Sequence, residues 1–324
     1  MDPTRHILLL TGGSGFVGRW LRRELLSRFP EGAIEVWPDP ASQMTFDVTD
    51  LEAVNDAVRH LLPTAVIHLA AVAAPMEAQQ SPRRAWEVNV DGTRNVVESV
   101  LRNAPGARFV YVGSAESYGA SFRETEKPLD ENALLKPMSV YGATKAAADI
   151  FVGQMAYEGL NAVRFRPFNH TGPGQSDAYV VSAFARQIAE ITQRGKPPII
   201  RVGNLSVERD FLDVRDIVRA YADAALNSFE LRPGLVFNLA SGIPRSIQSI
   251  LDALIKASGI DIQTQVDPDR MRGTEVARVV GNAAAARRHL GWQPLIKIED
   301  TLLDVLNDWQ ARLSQDRPRL RALD

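Results

Sequence analysis

Eight residues near the start restrict the fold of this 324-residue chain more than any others: Thr11-Gly-Gly-Ser-Gly-Phe-Val-Gly18, placed directly after the apolar run 6–10. The apolar run reads as a buried parallel strand, and the stretch 16–29 that follows reads as a helix. Gly13, Gly15 and Gly18 satisfy a Gly-x-Gly-x-x-Gly pattern, and Gly12, Gly15 and Gly18 satisfy its Gly-x-x-Gly-x-x-Gly variant. A strand, a glycine turn and a helix N-terminus aim backbone N–H groups and the positive end of the helix dipole at one point, which suits a pyrophosphate. Gly12, Gly15, Phe16, Val17 and Gly18 are therefore the expected contacts of a dinucleotide.

The rest of the first half alternates in the same sense. Strand-like runs at 7–10, 33–37, 65–69, 108–112 and 162–166 are separated by helix-like stretches that include 51–62, 82–103 and 140–157. This βαβ rhythm predicts an α/β fold with a doubly wound, mostly parallel Rossmann-type sheet. After Arg166 the rhythm loosens. Short apolar runs (198–202, 235–239, 262–266) mix with helices (179–193, 214–227, 247–257, 302–313). We expect a dinucleotide-binding domain over 1–166 that carries the catalytic residues, and a smaller substrate lobe over 167–324, interleaved with the sheet.

Composition removes several function classes. The net charge of -2 gives no reason to expect a nucleic acid or an anionic membrane as partner. With no cysteine, thiolate catalysis and disulfides are excluded, which fits a reducing cytoplasm. The five histidines show no ligand spacing, so no metal is expected. No apolar run is long enough to span a membrane, and residues 1–10 are too short for a signal-peptide core.

A second signal names the chemistry. Tyr141 and Lys145 stand four residues apart at a helix start, so both project from one face. A phenol ionises near pH 10, and an ammonium beside it favours the phenolate. The pair predicts a tyrosine that exchanges a proton near neutral pH, an acid for carbonyl reduction or a base for alcohol oxidation. For the cofactor, Asp39 follows the second strand about where an acidic residue meets the adenosine ribose. A turn aspartate between Pro38 and Pro40 is the competing reading. No arginine or lysine lies between Ile34 and Met44 to receive a 2′-phosphate, which favours NAD(H) slightly over NADP(H), although Arg19 stands at the helix start.

Together these segments resemble the extended short-chain dehydrogenase/reductase family that acts on nucleotide sugars, over nearly the whole chain. The family's opening glycine motif matches Thr11 to Gly18, and its adenine-side Asp-hydrophobic pair matches Asp47-Val48. Its His-Leu-Ala-Ala matches His68 to Ala71, adding Leu69, Ala70 and Ala71 as cofactor contacts, and its Asn-Val-x-Gly-Thr matches Asn89 to Thr93. The resemblance implies that Ser114 hydrogen-bonds the reacting carbonyl oxygen, that Lys145 also holds the nicotinamide ribose, and that Pro167 fixes the backbone beside the nicotinamide. Dehydratases of the family carry Ser-Thr-Asp-Glu or Ser-Thr-Ser-Glu before a Tyr-Gly; here the stretch is Gly113-Ser-Ala-Glu116. Glu116 is placed as a base, whereas Ala115 has no proton to give.

The stretch Arg164 to Gln175 is similar to a segment of bacterial GDP-4-keto-6-deoxy-D-mannose reductases, and implies that Asn169 meets the sugar diphosphate. Val202-Gly-Asn204 and Glu208-Arg-Asp-Phe-Leu-Asp213 match a stretch shared with GDP-mannose dehydratases, with Arg209 as a diphosphate clamp. Arg272 and Glu275 match a further diphosphate- or ribose-facing segment. The resemblance thus implies a GDP-sugar reductase, with a 4,6-dehydratase as the alternative, an epimerase or a non-catalytic nucleotide sensor behind them, and a homodimer built on the helices containing 89–101 and 141–155.

Overall fold

The computed structural model describes residues 6–30, 32–38, 46–227, 232–270 and 276–315. Five strands of the first half are β1 (His6–Thr11), β2 (Ile34–Trp37), β3 (Ala65–His68), β4 (Arg108–Val112) and β5 (Ala162–Pro167). The second half adds β6 (Asn169–Thr171), β7 (Ile199–Val202), β8 (Glu208–Asp213), β9 (Val236–Leu239), β10 (Pro244–Ser246), β11 (Gln263–Val266) and β12 (Arg278–Val279). The main sheet has the order β2-β1-β3-β4-β5-β9, with every pairing parallel. The doubly wound α/β expectation is met.

The strands are apolar on both sides because helices cover both faces. Leu8 and Leu10 turn to one face, against Leu21 and Leu25 of α1 (Phe16–Ser27). Leu9 turns to the other, against Val54 and Val58 of α2 (Leu51–Leu61). Asp50 starts α2 by accepting from the N–H groups of Glu52 and Ala53, both at 3.1 Å. Next come α3 (Pro75–Gln80), α4 (Pro82–Trp86), α5 (Gly92–Asn103) and α6 (Val140–Met155). The single helix expected over 82–103 is interrupted. Residues Glu87–Asp91 form a π-helical turn, in which Asn89 Oδ1 accepts from the Val72 N–H at 2.8 Å and Nδ2 donates to Thr144 Oγ1 at 2.9 Å.

The remaining helices are α7 (Val180–Arg194), α8 (Val214–Leu226), α9 (Ile247–Ser258), α10 (Ala284–Leu290) and α11 (Ile298–Gln315). β9 and α8 return to the main layers, while α7, α9 and α11 enclose a separate core around Phe184, Ile188, Leu251 and Leu306. Beside that core, β8 pairs with β6, β10 and β12, and β7 pairs with β11.

Between β1 and β3 the strand order reverses direction. Ligands of open α/β sheets enter the crevice beyond the strand C-termini at such a point. Here the glycine turn from β1 and the Leu69–Ala70 segment from β3 approach each other closely. A Cβ on Gly12 would stand 2.7 Å from the Ala70 nitrogen, and the residue has a φ of +71°. Only glycine fits that position.

Candidate active site

At the cofactor end, Gly15 caps α1 without a side-chain hydrogen bond, and the first turn carries no acidic residue. The helix therefore presents its opening N–H groups uncapped, the arrangement that an anion completes. Gly18 lets the turn sit directly on the helix, since a Cβ there would lie 2.5 Å from the Gly13 carbonyl oxygen. This cradle fits the pyrophosphate of a dinucleotide. Arg19 spans two loops, donating to the Ser14 carbonyl at 2.7 Å and to the Gly174 carbonyl at 3.2 Å. Arg22 donates to the carbonyls of Val36 and Pro38, so a cation stands at the C-terminal end of β2.

The other cofactor positions have identifiable surroundings. Ala70 N–H donates to Thr11 Oγ1 at 3.2 Å, which ties the β3 exit to the end of β1. Asp47 is held to about pKa 2, first by the Thr49 N–H and then by Arg84, whose guanidinium lies 2.8 Å away. Val48 is buried, and its carbonyl accepts from Asn95 at 3.0 Å. Leu69 packs against the core, and Pro167 ends β5. Ala71 is partly buried where the chain leaves β3. Asp39 lies outside the described residues, as do Arg272 and Glu275.

The residues expected to react come from two elements. Ser114 follows β4 and is 8% exposed; its Oγ caps a 3-10 turn (Ala115–Ser117) by accepting from the Glu116 N–H at 3.1 Å. Tyr141 and Lys145 come from α6, which begins at Ser139. Ser139 works in both directions: its Oγ accepts from the Gly142 N–H at 3.0 Å and donates to Glu116 Oε2 at 3.1 Å. Gly142 lets the turn and the helix meet, since a Cβ there would lie 2.7 Å from the Glu116 carbonyl oxygen. Ser114 stands beside the Tyr141 phenol, and Glu116 and Tyr179 are close enough to raise its pKa electrostatically.

One expectation is reversed. Tyr141 is not made easier to ionise. Burial is the main cause of an upward shift, the Glu116 carboxylate adds to it, and the Ser114 hydrogen bond only partly offsets it. Lys145 turns its ammonium onto the Val112 carbonyl and over the Tyr111 ring, 5.0 Å from the centroid. Its own pKa falls to about 8, because it is only 4% exposed. The phenol is thus held as an acid, with a weakly acidic ammonium one turn behind it.

The substrate-side positions divide. Asn169 is exposed on β6, two residues beyond the end of β5 at Pro167. Arg209 is on β8, where its guanidinium donates to the carbonyls of Glu208 at 2.8 Å and Val276 at 2.9 Å. The neighbouring Glu208 pairs instead with Arg278 at 2.6 Å. Asn204 folds its Oδ1 onto Ser206 at 2.8 Å. Val202 is 1% exposed in the lobe core, so its side chain is packing rather than a substrate contact. Sequence reasoning missed Ser139, Gly142 and Tyr179. Ser139 carried a signal, being an N-cap serine three residues before the N–H that it binds.

The model of the NAD dependent epimerase/dehydratase family matches residues 8–240. The chain belongs to this family. It is 33% identical to GDP-6-deoxy-D-mannose reductase of Pseudomonas aeruginosa over 310 residues, covering 95% of this chain and 99% of the relative. It is 26% identical to GDP-mannose 4,6-dehydratase of Sinorhizobium fredii, covering 81% and 79% of the two chains. The solved structure of RMD from P. aeruginosa complexed with NADPH superposes with a TM-score of 0.85 at 32% identity, over 95% of this chain and 99% of that one. The extended short-chain dehydrogenase/reductase reading of the sequence is met, and the residues at the β1–β3 crevice fit a nicotinamide dinucleotide.

Proposed function

We propose that the protein is a nicotinamide-dependent oxidoreductase that reduces GDP-4-dehydro-6-deoxy-D-mannose to GDP-D-rhamnose. The observation that carries the reading is the composition of the 3-10 turn. Ser114 stands beside the Tyr141 phenol, close enough to act on its ionisation, and the residue between Ser114 and Glu116 is the buried Ala115, which has no proton for a departing hydroxide. The reduced nicotinamide, when bound, supplies the hydride to the carbonyl carbon. Tyr141 gives its proton to the carbonyl oxygen, Ser114 hydrogen-bonds that oxygen, and Lys145 adds a cation to the site. Solvent then returns a proton to Tyr141. The cofactor is held mainly by residues 1–166, and the sugar nucleotide mainly by 167–324, through Asn169, Asn204 and Arg209 together with Arg272 and Glu275. The relative named as a GDP-sugar reductase supports the same substrate class.

Glu116 favours a second reading, 4,6-dehydration of GDP-mannose, because its carboxylate is close enough to the same phenol to raise its pKa. One assay separates the two. A reductase spends one hydride per product. With the GDP-keto sugar and NADH or NADPH, absorbance of the reduced nicotinamide should fall in step with product, and GDP-mannose with oxidised cofactor should give little keto sugar. Efficient keto-sugar formation from GDP-mannose without net cofactor change would promote the dehydratase.

For the cofactor, the absence of basic residues between Ile34 and Met44 favours NAD(H), and Arg22 at the end of β2 provides a cation for a 2′-phosphate. Use of both forms, within about tenfold in kcat/KM, is the expected result of running the assay with each. The protein is proposed to be cytoplasmic and homodimeric. No described helix is long and apolar enough to cross a membrane. Ile150 on α6 and Trp86 on α4 leave 60% and 44% of their surface exposed, apolar area that a second copy would cover. Light scattering should return twice the mass of 35.7 kDa; a monomer at micromolar concentration would remove the dimer.

A further inference from the structure

One turn beyond Lys145, α6 carries a carboxylate with no contact to solvent. Asp149 is 0% exposed and is gripped by two arginines of β5. Its Oδ1 accepts from Arg164 at 2.6 Å and from Arg166 at 2.9 Å, and its Oδ2 accepts from the Arg166 Nε at 3.0 Å. Each arginine is itself fixed. Arg164 also donates to the backbone carbonyls of Asp149 at 2.9 Å and Gly234 at 2.7 Å. Arg166 donates to Tyr118 at 3.0 Å, and Tyr118 in turn donates to Asn238 at 2.8 Å. Two glycines make the cluster possible. A Cβ on Gly153 would stand 2.6 Å from the Arg164 guanidinium, and one on Gly113 would stand 3.3 Å from Asp149 Oδ2. The carboxylate therefore lies between the helix that carries Lys145 and the strand exit that carries Ser114.

We propose that Asp149 is a positioning residue for the reaction: clamped by Arg164 and Arg166, it fixes the catalytic stretch of α6 against the ends of β4 and β5 and supplies the negative charge that keeps Lys145 a cation. The role in turnover rests on the proposed reduction; the geometry does not. The charged and titratable groups around Lys145 are Tyr141 and Asp149 on α6, His68 on β3, Tyr111 on β4, and Arg164 and Arg166 on β5. Among them Asp149 is the one carboxylate. Burial alone drives the ammonium towards neutrality, and Asp149 opposes that drift. Two arginines clamp the one carboxylate, and Lys145 stands a turn away on the same helix, so the charge of Asp149 is shared beyond a single ion pair.

The test reads Lys145 directly. In protein labelled at the lysine side chains, the Lys145 resonance is assigned as the one lost in Lys145→Met and is titrated by NMR without cofactor or substrate. It should titrate near pH 8 in the wild type. In Asp149→Asn it should titrate about one pH unit lower, and in Asp149→Glu near the wild-type value. Where Asp149→Asn does not fold, Asp149→Asn/Arg164→Met leaves one fewer unpaired cation in the cluster and should still shift the resonance downward, by less than the single variant, because the lost cation offsets part of the lost anion. The alkaline limb of kcat/KM for keto-sugar reduction should move with the resonance. A folded variant lacking the carboxylate in which Lys145 titrates unchanged would overturn the proposal, and so would a shifted resonance with an unmoved limb. A wild type that does not reduce the keto sugar ends the reductase reading, and the resonance then decides this one alone.

Discussion

A phenol that resists ionisation is suited to one direction of a redox reaction. With Tyr141 shifted upward by burial and by Glu116, the hydroxyl stays protonated through neutral pH, ready to complete a reduction. Alcohol oxidation would need the phenolate that this environment disfavours. Tyr141→Phe should lower turnover by about 10²–10⁴-fold, the usual contribution of a positioned proton donor. Affinity for reduced cofactor, read by nicotinamide fluorescence, should stay within about twofold, since the ring is retained and only the hydroxyl is lost. Turnover near wild type would give the proton to another group. The pair Tyr141 and Lys145 was legible from spacing, because four residues on a helix share a face whatever surrounds them. Their electrostatics were not legible. The sign of the tyrosine shift depends on Glu116, Ser114 and Tyr179, which reach the phenol only through the fold.

At the scale of elements, a buried relay joins β1, β3 and the π-helical turn. Thr11 Oγ1 accepts from the Ala70 N–H and lies 2.7 Å from His68 Nδ1, to which it donates when the ring proton is on Nε2. His68 Nε2–H then donates to Thr93 at 2.9 Å, and Thr93 donates to the Asn89 carbonyl at 2.7 Å. This order fixes a neutral imidazole. Burial, with a smaller contribution from Lys145, lowers its pKa from 6.5 to about 3. Between those values the unfolded chain binds a proton that the folded chain refuses, so stability falls as pH falls through that window. The loss should reach about 2 kcal/mol by about pH 5, where carboxylates of ordinary pKa are still ionised. Denaturant midpoints at pH 7 and pH 5 measure it, and His68→Gln should flatten the slope, leaving the part due to the buried His170. An unchanged slope in that variant would place the titration elsewhere. The central strands were visible in the sequence because they are apolar on both faces. The break at 87–91 was not, since Asn89 is held by Val72 and Thr144, which are distant in sequence.

The whole molecule joins two regions of unequal legibility. The dinucleotide half was readable in order and kind, because strand, turn and helix signals there are local. The small sheet of the second half was mostly invisible: β6, β10 and β12 have 3, 3 and 2 residues, too few for a period to show. Among the ties between them, one set lies at the glycine turn after β1. Arg19 holds the glycine turn to the Gly174 loop, Trp20 Nε1 donates to the Pro173 carbonyl at 2.8 Å, and Asp308 of α11 accepts from the Gly174 N–H at 2.9 Å. The loop expected to receive the dinucleotide is therefore braced on the loop that follows Asn169, a residue proposed to meet the sugar nucleotide. The consequence is thermodynamic: each ligand pays part of the ordering cost of its neighbour, so their affinities are linked and, by reciprocity, equally so in both directions. Calorimetric titration of NADPH with and without saturating GDP should show about fivefold or greater tightening, within the usual range of such couplings. Arg19→Ala should bring the two affinities together while leaving GDP alone to bind as before. Equal NADPH affinities in the wild type would mean that the bridge carries no cooperativity, and the enzyme would then fill its two sites in random order.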